Sequence, residues 1–189
     1  MESRVKVLGH ALHQMLVVFP LGLLTAAAIF DVIYLISRVP IWTLSAYYMI
    51  AAGVIGGLAA AVPGWLDWWA IPGGTRAKRV GLIHGVGNVL VLVLFALSWL
   101  LRRPSPGAPP AEAIVAALVG VVLAAGTAWL GGELVSRLGV GIDDGAHLDA
   151  PSSLSSASAR GSARAMGDRR ASPVRGYGGV ERRVSGLAR

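Results

Sequence analysis

"IWTLSAYYMIAAGVIGGLAAAV", residues 41–62, runs without one charged side chain. A helix that crosses a bilayer needs about 20 consecutive, predominantly apolar residues, because hydrocarbon satisfies no backbone polar group and the helix must bond its own. The stretch is long enough. Working outward, three more qualify: Leu12 to Ile36, interrupted by one charge at Asp31; Val80 to Leu101, carrying His84 and Asn88; and the uncharged interval between Glu112 and Glu133. The fold class that follows is all-α, a four-helix transmembrane bundle with a disordered basic C-terminal tail. Its expected division is a four-span membrane domain over residues 1–142 and a Ser/Gly/Arg-rich tail over 143–189.

Composition agrees. The chain is 54% apolar and 14% charged, against about 25% charged residues in soluble domains. Cysteine is absent, which excludes disulfides, thiolate zinc sites, iron–sulfur ligation by this chain and cysteine nucleophiles. No nucleophile triad, phosphate loop or carboxylate pair is present, so soluble-enzyme chemistry is disfavoured. The net charge of +7 belongs to the tail: residues 151–189 hold eight arginines against Asp168 and Glu181. Such a segment buries too little apolar surface to offset its ordering entropy, and its arginines suit anionic lipid heads or acidic partners. Nothing in it carries a nucleic-acid fold signature.

The first apolar run exceeds the roughly 7–15 residues of a cleaved signal segment, so it reads as a retained span. The short connection "SRVP" makes the first two helices antiparallel neighbours. Pro40, Pro63, Pro72 and Pro104 fall at expected span ends, and Pro20 falls inside one, where it should kink the helix. Arg4, Lys6, Arg76, Lys78, Arg79 and Arg137 flank one side, and Arg38, Arg102 and Arg103 the other. Six against three places both termini in the cytoplasm. Gly53 and Gly57, with Gly120 and Ala124 in the fourth span, read as packing seams. Trp65, Trp68 and Trp69 read as an interfacial aromatic belt.

Polar residues inside spans are costly and by default face the bundle interior. His10 and His13 open the first span on one helical face, one turn apart; His84 and Asn88 lie near the start of the third, likewise one turn apart. The first and third helices run parallel, so His13 and His84 share a depth. Asp31 lies 18 residues beyond His13, five turns on the same face and about 27 Å away. It is expected near the far rim, paired with Arg38 or Tyr34.

Three readings of the histidines compete. They are interfacial polar residues; or axial ligands of a b-type haem, with Arg79 or Lys78 meeting propionates; or part of a non-haem metal site with Asp67 or Glu133. The expected function is correspondingly a non-enzymatic membrane scaffold or small-solute module, with a haem- or metal-binding redox protein as the alternative. In that alternative His13, His84, His10 and Asn88 are the cofactor-binding residues.

Four blocks, "HALHQMLVVFPLGLLTAAAIFD", "AVPGWLDW", "RVGLIHGVGNVLVLVLF" and "WLGGELVSRLGVGI", together resemble the bacterial membrane proteins grouped as domain of unknown function 2231. The resemblance covers roughly residues 8–142. His10, His13, Phe19, Pro20, Asp31, Gly64, Asp67, His84, Asn88, Gly131, Gly132 and Glu133 match the family's pattern. Where the family usually has His-Pro, this chain has His13-Gln14. The resemblance implies a four-helix protein of the bacterial inner membrane and, through relatives associated with Rieske-type iron–sulfur proteins, a redox partner of that kind. It supplies no activity.

Overall fold

A computed structural model describes residues 1–170. The chain divides into two compact units, Met1–Ile142 and Asp143–Arg189. The first opens with a small hairpin in which β1 (Lys6–Val7) pairs antiparallel with β2 (His10–Ala11). Leu8 and Gly9 both take positive φ, 50° and 83°, the conformation of a two-residue hairpin turn. The helix therefore starts only at Leu12, as α1 (Leu12–Leu16). His10 is extended and exposed in β2, and the expectation that it shares a helical face with His13 does not hold.

Helix α2 (Val18–Ser37) follows after an interruption at Val17. Pro20 has no N–H for the Leu16 carbonyl, so the expected kink takes the form of this break. The ladder resumes on both sides: Val17 N donates to His13 O and Leu21 N to Val17 O, each at 3.1 Å. Arg38 ends α2 in the left-handed region, its N–H on Tyr34 O at 2.8 Å, and Pro40 opens α3 (Pro40–Ala70).

Helix α3 is longer than the span read from the sequence, because Pro63 lies inside it rather than at its end. A proline within a membrane helix is tolerated where neighbouring groups satisfy the backbone; Pro63 has no N–H for the Ala59 carbonyl, and the next carbonyl, that of Ala60, accepts from His13. Thr75 caps α4 (Arg76–Arg102), its side chain accepting from Lys78 N at 3.1 Å, and α5 (Ala111–Ser136) completes the bundle. These four rods, with α1 and α2 counted as one, are long and apolar enough to cross a membrane.

Consecutive helices pack as neighbours and α2 closes the ring against α5. The interior is lined with small residues so that backbones approach closely: a Cβ on Gly53 would lie 2.5 Å from Leu24, and one on Gly120 would lie 2.9 Å from Phe95. Large apolar side chains such as Ile36, Ile55 and Val122 point outward, as expected where lipid is the solvent. The seams read from the sequence are thus used within the bundle.

In the second unit, residues 143–158 make turns and bends, and α6 (Ala159–Arg170) follows. Ser158 opens that helix: its Oγ accepts from Gly161 N and its carbonyl from Ser162 N, both at 3.0 Å, the role Ser fills at helix starts. The expectation of disorder runs from residue 143; residues 143–170 make these turns and α6, and residues 171–189 lie outside the described residues.

Candidate functional site

His13, on α1, and His84, on α4, face each other inside one end of the bundle. Their ring centroids are 6.5 Å apart and their planes stand at 90°. Both rings are half-buried. His13 Nδ1 lies 2.8 Å from Ala60 O of α3, and His84 Nδ1 lies 2.8 Å from Thr127 O of α5. A carbonyl only accepts, so Nδ1 carries the proton in each neutral ring and Nε2 keeps its lone pair. That is the tautomer in which a histidine ligates a metal while a backbone carbonyl orients it.

The facing helices are cut away to seat the rings. A Cβ on Gly64 would sit 2.7 Å from His13 Nδ1, and one on Gly131 would sit 3.1 Å from His84 Cε1. Gly64 lies four residues after Ala60, and Gly131 four after Thr127, one helical turn in each case. Each imidazole thus meets an accepting carbonyl and, one turn further along the same helix, a glycine. A side chain at Gly64 would push the His13 ring off its carbonyl, and one at Gly131 would shift the His84 ring by a few tenths of an ångström.

Asn88 supports the His84 side. Its Nδ2 donates to His84 O at 2.8 Å and passes 3.3–3.4 Å from the two ring nitrogens. Its Oδ1 accepts from Thr127 Oγ1 at 3.1 Å, and that hydroxyl also reaches Ala124 O at 3.0 Å. Thr127 therefore supplies both the carbonyl for His84 and the hydroxyl for Asn88. Sequence reasoning missed it, because a single threonine in an apolar helix carries no signal until the facing helix is known.

Three of the other residues named for this end, Asp67, Glu133 and Lys78, are occupied elsewhere. Asp67 is buried and accepts from Ser3 Oγ at 2.7 and 2.9 Å and from Arg4 N at 2.6 Å, tying the N-terminal segment to α3. Glu133 pairs with Arg76 at 2.7 Å. Lys78 Nζ donates to Trp68 O and Trp69 O and stands 4.0 Å from the Trp68 ring centroid. Among the described residues no group of three or more His, Cys, Asp or Glu side chains comes together to hold a metal. The aromatic belt is also only partly one. Trp65 packs against Gly85 and Trp68 against Gly81 of α4, and Trp69 alone of the three is exposed.

At the opposite end Asp31 finds neither Arg38 nor Tyr34 but Arg102. Arg102 Nη1 and Nη2 donate to the two carboxylate oxygens at 2.6 and 2.5 Å, and both side chains are fully buried. Nη1 also reaches Thr43 Oγ1 at 3.0 Å, Nη2 reaches Ala113 O at 3.4 Å, and Nε reaches Ser98 Oγ at 3.1 Å. The pair joins α2, α3, α4 and α5 through one guanidinium. A rigid bidentate fork with its remaining N–H groups satisfied is the form in which arginine can be buried.

No curated protein and no solved structure matches the chain. Residues 9–144, which contain both ends of the bundle and all four apolar helices, match the family described as "Predicted membrane protein (DUF2231)", and the chain belongs to that family.

Proposed function

We propose that the membrane domain holds a b-type haem between His13 and His84 and acts as a redox carrier within the membrane. The observation that carries this reading is the facing pair itself, two imidazoles each held at Nδ1 by a carbonyl, at 6.5 Å. A metal bound on both sides through nitrogen bonds of about 2.0 Å needs ring centroids roughly 6–6.5 Å apart. His13 and His84 would hold the iron of such a haem from the two sides of the bundle. A metal held by protein alone needs more donors than this pair, and the described residues gather no third. When bound, the haem supplies one-electron chemistry. The chain's own contribution is to fix ring orientation and exclude water with the surrounding apolar side chains.

Beside it stands the non-enzymatic scaffold or small-solute reading, against which we set the packing within the bundle. The small-residue seams are filled from inside, and the far end is closed by the Asp31–Arg102 pair. Both termini lie in the cytoplasm on this reading, in the inner membrane of a bacterium. Arg102, taken into the bundle, no longer counts among the residues opposing that orientation, leaving six basic residues against two. The partner is an electron carrier, for which the Rieske-type association of the family is the available pointer.

Expression with ample haem followed by a reduced-minus-oxidised spectrum in detergent tests the proposal. Low-spin b-haem bands are expected. His84→Ala should abolish them, and His147→Ala, in the second unit, should leave them unchanged. A colourless protein would remove the haem reading.

A further inference from the structure

The two ends of the bundle are each built from a matched pair of positions. His13 and Asp31 are 18 residues apart on α1–α2, and His84 and Arg102 are 18 apart on α4. Eighteen residues is five helical turns, which returns a side chain to the same face. One shift of 71 residues therefore carries His13 onto His84 and Asp31 onto Arg102, and the members of each pair meet. The same shift carries Leu24 onto Phe95, both buried.

A shift of 67 does the same for the second helices. It carries Ala46 onto Ala113, Ile50 onto Ala117 and Ala60 onto Thr127, and all six are buried. The contacts repeat along with the positions. Gly53 crowds Leu24 as Gly120 crowds Phe95, and Gly64 crowds His13 as Gly131 crowds His84. Ala60 O and Thr127 O take the two imidazoles at the same 2.8 Å. Helix α2 packs on α5 as α4 packs on α3.

We infer that the membrane domain is two copies of one helical hairpin, α1–α3 and α4–α5, paired about a two-fold axis, and that the buried Asp31–Arg102 pair makes each hairpin select the other rather than its own kind. A residue on such an axis meets its own counterpart. Two first hairpins from separate chains would set Asp31 against Asp31, and two second hairpins would set Arg102 against Arg102. Like charges facing each other without water are strongly unfavourable. Of the other matched positions, His with His, Ala with Ala and Leu with Phe are alike in chemistry, and Ile50 with Ala117, Ala60 with Thr127 and Ala27 with Ser98 differ in size or a hydroxyl but carry no charge. Selection therefore falls to the one pair whose members are opposite. The inference stands apart from the haem reading, since it rests on the repeat and the ion pair.

The full-length chain in detergent provides the test. Asp31→Arg and Arg102→Asp each place like charges on the axis and are expected to lower Tm by about 10 °C or more, or to prevent accumulation. The exchange D31R/R102D should recover at least half of the loss. Adding Ala27→Ser and Ser98→Ala should recover more, because residue 27 is the counterpart of residue 98, and both are fully buried. The neutral pair D31N/R102Q, which removes selection without adding a charge, should raise the share of dimers above that of the parent chain measured alongside by native mass analysis. Exchanged chains no more stable than the single variants, or a neutral pair no more dimeric than the parent, would overturn the inference.

Discussion

Two glycines decide where the imidazoles stand. A Cβ at residue 64 comes to 2.7 Å from His13 Nδ1, a distance that real Cβ atoms do not show, whereas one at residue 131 comes to 3.1 Å from His84 Cε1, which a small ring shift relieves. Gly64→Ala is therefore expected to cost haem retention heavily and Gly131→Ala mildly, in a side-by-side haem titration of the two purified variants. Equal losses would mean that the seats are not what holds the rings. Asn88→Leu removes the bond with Thr127 Oγ1. Polar bonds between membrane helices average about 0.6 kcal/mol and reach about 1.7, so a Tm lowered by a few degrees is expected, with His84 still held by its carbonyl. Of these residues, His13, His84 and Asn88 were legible, since imidazole and amide groups in an apolar run demand a reason. Thr127 and the carbonyl of Ala60 were not, because a backbone group has no sequence signature.

Helix ends were less legible than helix existence, and proline is the reason. Pro63 reads as a terminator by local rules, yet α3 runs on to Ala70, since in apolar surroundings the chain gains more by keeping its remaining backbone bonds than by leaving the helix. Pro20 acts in the expected sense, though as a break at Val17 that sets α1 off from α2. His13 rides on that detached turn. Pro20→Ala restores an N–H for Leu16 O, so it should leave thermal stability unchanged or raised while weakening haem retention, because a continuous helix re-aims His13. Tm and haem content measured on one preparation separate the two effects. A variant losing both together would assign Pro20 to folding alone. His10 was misread for an equally local reason: Gly9 at positive φ turns the chain into a hairpin before the helix begins.

At the scale of the whole molecule, four apolar runs and two parallel histidine helices were enough to give the bundle and its facing pair. The ion pair at the far end was hidden, because Arg102 follows an apolar run and sits beside Arg103, where both read as loop charges. Only the packed bundle brings it across to Asp31. The hairpin repeat was hidden for a different reason: its matched positions preserve size or complementarity rather than identity. Orientation is checked by reporter fusions at Gly107 and at the C terminus, where an outward Gly107 and an inward C terminus are expected and the reverse would invert the topology. The central claim is the joint ligation of one haem by both halves of the bundle, and haem-to-protein stoichiometry tests it most directly. The ratio should be about one in the parent chain and should fall close to zero in His13→Ala, His84→Ala and the double variant alike, because on the proposed reading both histidines would hold the haem. A parent chain that takes up no haem, or a double variant that still holds one equivalent, would contradict it.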